Sequence, residues 1–374
     1  MNDGADGGWH VAQFLAKTHA ENAMAPVRYA DPYGAFLESV VDGFFGDALP
    51  IVPDANVLRG NIGRMCRDGH RTVLITGANT GTFRLFCAEH VLEEVVEHSQ
   101  EWASELGIPY DAYVNCWRQY FLPNMRLVST TQLRGLLSPE EGKRIDKLPD
   151  RDDVPSATLA LVLGAFYVTE DALARFAVYG VDADAEERRN WLAPLRCAGD
   201  AGELHKLAVI ASAAPILTVT GVWNLGRWLH KKSPLALAIG AGVGLFLATR
   251  LKPETYRTVG TALGLAALQF ADGVIRPYSE NIESFRAVLP AFPLWEDLVA
   301  VNGRDAVLAR ACLHTLGRSR QNPMTVSELA DELPDLGIGQ SVQRVGKILR
   351  NNECFFEPYK GYWQLGHAVV GAPA

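Results

Sequence analysis

The sequence lacks the cysteine patterns of a zinc site or of a disulfide framework. Its six cysteines are dispersed, with no CxxC pair and no histidine at zinc-finger spacing. They are Cys66, Cys87, Cys116, Cys197, Cys312 and Cys354. We expect these cysteines to be reduced and mostly buried.

An excess of positive charge is also missing. The chain has 35 Lys and Arg residues against 43 Asp and Glu residues, which gives a formal net charge of −8. Proteins that coat nucleic acid through charge alone need a basic surface. Any contact with nucleic acid must therefore be local or depend on a metal ion.

The first residues lack the pattern of a secretory leader. Residues 1–20 are acidic and rich in glycine, and they contain no basic segment followed by an apolar run. We therefore expect the active domain to be cytoplasmic.

The length of 374 residues predicts a modular protein of two or three domains. We predict an N-terminal helical extension at 1–48, which includes an amphipathic helix at 35–46, and an α/β domain at 49–195. An apolar helical region at 205–276 and a C-terminal module at 300–368 follow.

Strand-like and helical segments alternate within 49–195. Helices are predicted at 88–104 and 154–164, because their apolar residues recur with helical spacing. Short apolar runs predict strands at 49–54, 72–76, 82–86, 127–129 and 165–169. This alternation indicates an α/β fold with a parallel sheet that is flanked by helices.

Four acidic residues lie within these segments or at their ends. Asp54 directly follows the first strand, and Asp171 follows the last one. Glu94 lies within the helix at 88–104, and Asp153 begins the helix after it. Hard cations such as Mg²⁺ prefer oxygen ligands, and open α/β sheets build their sites at the carboxyl ends of strands. The sequence thus predicts an acidic metal site there.

The same segments resemble the PIN family of nucleases. Val52–Leu58 resembles the family's opening strand, Cys87–Val95 its second acidic segment, and Arg151–Asp171 its third and fourth, within a resemblance that covers 49–178. The resemblance implies a parallel-sheet ribonuclease in which four acids coordinate one or two Mg²⁺ or Mn²⁺ ions. These acids are Asp54, Glu94, Asp153 and Asp171. It also implies that Asn56 supports the first acid and that Thr169 shapes the pocket.

Two of the acids have a neighbour that could replace them. Glu93 competes with Glu94, and Asp152 competes with Asp153 or shares its role as a supporting residue. We favour Glu94 because it lies three residues after Val91, on the apolar side of the helix. The spacing of Asp153 from Asp171 matches the family pattern.

The region at 205–276 contains three apolar runs, at 207–223, 234–249 and 259–275. The first two are at or just below the length of about 17–25 residues that a membrane-spanning helix needs. Residues 207–249 therefore fit either a membrane hairpin or a buried helical hairpin. Basic residues flank both sides, so the sequence indicates no orientation.

The segment 300–368 resembles a winged helix-turn-helix module. Helices are predicted at 306–316, 326–333 and 341–350, with Thr325 and Glu328 forming a capping box at the second. A hairpin at 354–365 turns at Lys360 and Gly361. We expect the aromatic residues at 359–363 to pack within this hairpin rather than to stack on bases.

Arg344, Lys347 and Arg350 form a basic stripe on the third helix that could meet nucleic-acid phosphates. The segment 305–374 nevertheless has seven basic and seven acidic residues. DNA, RNA, a protein or self-association into a homo-oligomer all fit this module.

The leading hypothesis is a metal-dependent endoribonuclease, with a toxin-like or stress-response role. The alternative is a non-catalytic regulator, bound to DNA or tethered to a membrane, that uses an inactive PIN-like scaffold.

Overall fold

A computed structural model describes residues 47–180, 195–196, 199, 289–290, 293–319 and 323–368. All of these residues belong to one compact unit, which includes residues 46–199 and 284–374. The helix predicted at 35–46 and the apolar region predicted at 205–276 lie outside the described residues.

A mostly parallel sheet forms the centre of this unit. Its strands are β1 (Leu49–Pro53), β2 (Phe83–Ala88), β3 (Met125–Val128) and β4 (Phe166–Val168). They lie in the order β4-β1-β2-β3, and a short antiparallel strand, β8 (His367–Ala368), extends the sheet beside β3. Every residue of β1 is buried, as expected for a central strand that is covered on both faces. The predicted α/β class with a parallel sheet is confirmed.

The strand order reverses between β1 and β4. The chain passes from β1 to β2 and β3 on one side, and then returns to place β4 on the other side of β1. Val52 of β1 lies directly beside Tyr167 of β4. Open α/β sheets bind ligands at the carboxyl ends of strands where the order reverses. This topology makes the carboxyl ends of β1 and β4 the expected location of a ligand-binding site.

Helices cover the sheet and connect its strands. In the first part of the chain these are α1 (Ala55–Asp68), α2 (Val73–Asn79), α3 (Glu89–Glu105), α4 (Tyr110–Cys116), α5 (Pro139–Ile145), α6 (Asp153–Leu163) and α7 (Ala172–Tyr179). The later helices are α8 (Trp295–Asn302), α9 (Arg304–Arg318), α10 (Val326–Glu332) and α11 (Val342–Asn351). The predictions of α3, α6, α9, α10 and α11 are confirmed to within a few residues at each end.

The prediction of a strand at 72–76 is wrong, because these residues begin helix α2. Thr72 is extended and precedes the helix, and Leu74 and Ile75 are buried residues within the helix. Gly77 lies so close to the ring of Phe83 that an added Cβ would be 2.0 Å from it. A short apolar run does not distinguish a buried strand from one side of a short buried helix. At this position, packing against β2 favours the helix.

The C-terminal segment contains a second, antiparallel sheet. Its strands are β5 (Met324–Thr325), β6 (Phe355–Tyr359) and β7 (Tyr362–Leu365), in the order β5-β7-β6. The hairpin turn at Lys360 and Gly361 and the capping box of Thr325 and Glu328 are present as predicted. The winged helix-turn-helix resemblance of this segment stays a prediction.

Two links join the C-terminal segment to the main sheet. His367 of β8 pairs with Leu127 of β3. The buried guanidinium of Arg310, in α9, donates two hydrogen bonds of 2.8 Å to the carboxylate of Glu141, in α5. The segment predicted as a separate module therefore shares one compact unit with the α/β sheet.

Within the ranges described above, no helix is long and apolar enough to cross a membrane. The runs at 207–223 and 234–249, on which the membrane prediction rests, fall outside those ranges.

Candidate active site

The four predicted acids belong to elements that meet the carboxyl edge of the parallel sheet. Asp54 follows β1 and caps α1, and Asp171 follows β4 and caps α7. Glu94 lies in the second turn of α3, which directly follows β2, and Asp153 is the first residue of α6. The fold thus brings together residues that are widely separated in sequence.

An open cleft of about 530 Å³ lies at this edge. Three of the predicted acids line it, and Glu94 interacts electrostatically with Asp54 from beside it. The lining residues are Asp54, Asn56, Arg59, Gly60, Leu106, Asp150, Asp153, Glu170 and Asp171.

Asp54 is the most firmly held of the acids. It is 8% exposed, and its Oδ1 accepts a hydrogen bond of 2.6 Å from the backbone nitrogen of Ala55. The hydroxyl of Thr169 donates to Asp54 Oδ2 at 3.0 Å and accepts from the backbone nitrogen of Asp171 at 3.1 Å. Thr169 thus orients one acid and positions the turn that carries another, while Asn56 is exposed on the cleft wall.

The remaining acids crowd around Asp54. Burial, followed by the charges of Asp54, Asp150 and Asp171, raises the pKa of Asp153 to about 7. Burial and the charge of Asp54 also raise the pKa of Glu94. Burial raises the pKa of Asp54 itself, although the hydrogen bond from Thr169 opposes this. Mutual repulsion of this kind marks a place where negative charge is concentrated without compensation.

The structure separates the two ambiguous doublets. Glu94 is half-buried and interacts with Asp54, whereas Glu93 is exposed. Asp153 is half-buried in the cleft, whereas Asp152 is exposed and lies close to His90 and Glu94. Of each doublet, the preferred member is the one that interacts electrostatically with Asp54.

Three residues of this region were not predicted from the sequence. Asp150 lines the cleft and raises the pKa of Asp153, and its position in an acidic loop was the available signal. Arg59 also lines the cleft, pairs with Glu105 and lies 5.9 Å from the ring centroid of Trp102.

Tyr167 is the third. Its side chain is fully buried close to Asp54, and burial raises its pKa well above the ordinary value, with a further contribution from that charge. Strand alternation places residues two apart on the same face. The prediction that Thr169 shapes the pocket could therefore also have indicated Tyr167.

The acids do not form a ready-made coordination shell. In the part of the chain that the structure describes, no group of three or more His, Cys, Asp or Glu side chains is arranged to hold a metal ion. Asp54, Asp153 and Asp171 share the cleft, and Glu94 interacts electrostatically with Asp54 and Asp153, but the four acids do not converge on one point.

Only two of the three residues of the predicted basic stripe are exposed to solvent. Lys347 and Arg350 are exposed on α11. Arg344 instead donates a hydrogen bond of 2.9 Å to Asp305 and another of 2.8 Å to the backbone oxygen of Ile338. Its role in the structure is to join α11 to the start of α9.

Compared with known proteins, the chain has no significant match to a family model, to a curated protein or to a solved structure.

Proposed function

We propose that the chain is a metal-dependent ribonuclease whose site is the acidic cleft. The observation that carries the proposal is the crowding of Asp54, Asp153 and Asp171 in one open cleft where the strand order reverses. The one cationic side chain among the lining residues described, Arg59, is paired with Glu105. A cluster of acids of this kind is stabilised when a divalent cation binds.

The donor chemistry of the cleft fits Mg²⁺ or Mn²⁺. All of the candidate ligands are carboxylate oxygens, which hard cations prefer. Mg²⁺ usually keeps several of its waters and is held by only one or two carboxylates directly. One or two of Asp54, Asp153 and Asp171 would hold the ion directly, the rest would act through its waters, and Glu94 would add charge from beside the cleft. This arrangement does not require three side chains to converge on one point.

The chain's own residues prepare the site. Thr169 and the backbone of Ala55 fix both oxygens of Asp54, so this carboxylate costs little to orient when it binds a ligand. The raised pKa of Asp153 means that it releases its proton near neutral pH, and a nearby positive charge would favour that release. A bound divalent ion would lower the pKa of a water and stabilise charge on a phosphate.

RNA is proposed as the substrate because the acidic segments resemble PIN nucleases. The order and spacing of Asp54, Glu94, Asp153 and Asp171 carry that resemblance, and a toxin-like or stress-response role would follow from it. The segment at 300–368 would then help to select or hold the target.

The test is cleavage of labelled single-stranded RNA, duplex RNA and single-stranded DNA with Mg²⁺ or Mn²⁺. Groups that only orient metal ligands commonly contribute about 10–100-fold to activity. We therefore expect Asp54→Asn or Asp153→Asn to lower the cleavage rate by more than about 100-fold. Glu94→Gln should also lower it.

Glu93→Gln is the matched control, because this exposed neighbour of Glu94 should leave the rate unchanged. Thermal unfolding of each variant checks that the fold is retained. If the wild-type chain cleaves no RNA, or if Asp54→Asn cleaves normally, the ribonuclease proposal fails and the non-catalytic regulator becomes the better hypothesis.

A further inference from the structure

The hairpin of β6 and β7 presents three aromatic rings to solvent. Tyr359 is 70% exposed, and Phe356 and Tyr362 are each 44% exposed. Together these three residues form the aromatic face of the hairpin. The sequence predicts that the aromatic residues at 359–363 pack, and of these Trp363 is buried, as is the nearby Phe355. The aromatic face is not buried.

An irregular register places the three rings on one side of the hairpin. Tyr359 lies opposite Tyr362, and Phe356 lies opposite Gln364, with a bulge between the two pairs. Because Tyr362 and Gln364 are two residues apart, they point to the same face of β7. The extra residue of the bulge brings Phe356 to that face as well, although it is three residues before Tyr359.

One exposed cation, Lys360, lies in the turn beside the aromatic face. At the other end, the half-buried Arg126 of β3 donates a hydrogen bond of 2.7 Å to Gln364, and burial lowers the pKa of its guanidinium. The nearby carboxylate of Glu357 accepts a hydrogen bond from the backbone nitrogen of Gly361. Exposed rings beside a cation are typical of surfaces that stack the bases of single strands and contact their phosphates.

The aromatic face adjoins the β3 edge of the main sheet. The ring of Phe356 lies 6.1 Å from that of His367, whose strand β8 joins the edge of the main sheet. Since β8 is three strands from β1, and neighbouring strands are spaced about 4.8 Å apart, this edge lies about 15 Å from β1. Glu353, just before the hairpin, also acts electrostatically on Glu89 at the start of α3.

We propose that the aromatic face of Phe356, Tyr359 and Tyr362 stacks the bases of single-stranded RNA whose backbone continues into the acidic cleft. This inference rests on the proposed ribonuclease function, for which it supplies the substrate class. A duplex does not fit the same mode, because its bases are already stacked on one another.

The test measures binding of a fluorescein-labelled single-stranded RNA of about 12 nucleotides, a length within the usual range for stacking sites. EDTA is present so that no cleavage occurs. Alanine replacement of a stacking residue commonly lowers affinity by a factor of about 5–150 per base. We expect Tyr359→Ala and Tyr362→Ala each to lower affinity at least about fivefold. Tyr359→Phe and Tyr362→Phe should retain it.

Tyr110→Ala is the matched control, because this tyrosine is 48% exposed at the start of helix α4, outside the hairpin. It should leave affinity for single-stranded RNA unchanged. Binding of duplex RNA should be insensitive to all of these variants. The inference is overturned if the alanine variants bind like wild type, or if wild type binds no single-stranded RNA. It is also overturned if wild type binds no RNA but forms a dimer that these variants dissociate.

Failure of the inference differs from failure of the ribonuclease proposal. If Asp54 is required for cleavage but Tyr359→Ala and Tyr362→Ala bind normally, the stacking inference alone fails. If those variants bind weakly while neither wild type nor Asp54→Asn cleaves RNA, the ribonuclease proposal fails and the stacking surface remains.

Discussion

Asp153 shows most directly how the crowding of acids affects the molecule. Its pKa is raised from 3.8 to about 7, first by burial and then by Asp54, Asp150 and Asp171. The folded chain therefore keeps a proton on this residue across a pH range in which the unfolded chain has released it. In that range the unfolded state binds fewer protons, so stability falls as pH rises.

The melting temperature of the metal-free protein should therefore depend on pH. From about pH 5 to about pH 8 in EDTA, the melting temperature of the wild type should fall, and Asp153→Asn should fall less. The variant should therefore be the more stable of the two at the upper end of the range. Mn²⁺ should raise the melting temperature of the wild type more than that of the variant.

Differential scanning calorimetry would measure both effects, with Glu93→Gln as the control that keeps the wild-type slope. Equal pH slopes for wild type and Asp153→Asn would mean that the raised pKa of Asp153 contributes nothing to the pH dependence of stability.

Among the elements, α5 and α9 are joined by a buried ion pair. Burial alone would raise the pKa of Glu141, but its hydrogen bonds from Arg310 outweigh that effect and leave the pKa lowered. Arg310 also donates to the backbone oxygens of Leu136 and Leu161, at 3.1 and 3.0 Å. A single side chain of α9 thus contacts three segments of the α/β region.

We expect Arg310→Ala to lower the free energy of unfolding by about 3–5 kcal/mol, because it leaves the carboxylate of Glu141 buried without its partner. Asp305→Ala breaks the exposed pair with Arg344, and such pairs contribute about 0–1 kcal/mol. Urea denaturation followed by circular dichroism would compare the two variants. Similar losses for both would show that the buried pair has no special role.

For the molecule as a whole, the C-terminal segment acts as part of the core unit. It adds β8 to the main sheet and places Arg310 against Glu141. Gly317 of α9 lies so close to Leu163 that an added Cβ would be 2.9 Å from that side chain. Removing this segment would expose apolar surface on α6 and leave the edge of β3 unpaired.

A chain that ends at Gly303 should therefore lose its cooperative thermal transition and bind a hydrophobic dye such as ANS. A chain that ends at Ala368 keeps β8 and is the control. A sharp transition in the shorter chain, at the melting temperature of the control, would contradict the expectation that the two parts fold together.

Local elements were predictable where local chemistry determines them. The apolar runs before Asp54 and before Thr169 form β1 and β4, because strongly apolar segments bounded by turns become buried strands. Thr325 and Glu328 form the predicted capping box, since that motif satisfies backbone donors within a few residues. The winged-module resemblance, the membrane hairpin at 207–249 and self-association stay predictions.

Other features depend on contacts that sequence spacing does not reveal. The short run at 72–76 becomes a helix through packing against Phe83, and Arg344 is engaged by Asp305 from another helix. The exposure of Tyr359 follows from a bulge and from which face of the hairpin the core covers. Each of these outcomes depends on tertiary neighbours, to which local propensity is insensitive.

By itself, the sequence determined the α/β class, most of the elements and the order of Asp54, Glu94, Asp153 and Asp171 along them, because periodicity and capping act over short distances. Only the tertiary structure decided that Asp54 receives a hydrogen bond from Thr169, 115 residues away, and that Asp150 joins the cleft. The strand order, with β4 placed beside β1, brings these side chains together, and that order is set by packing of the whole sheet.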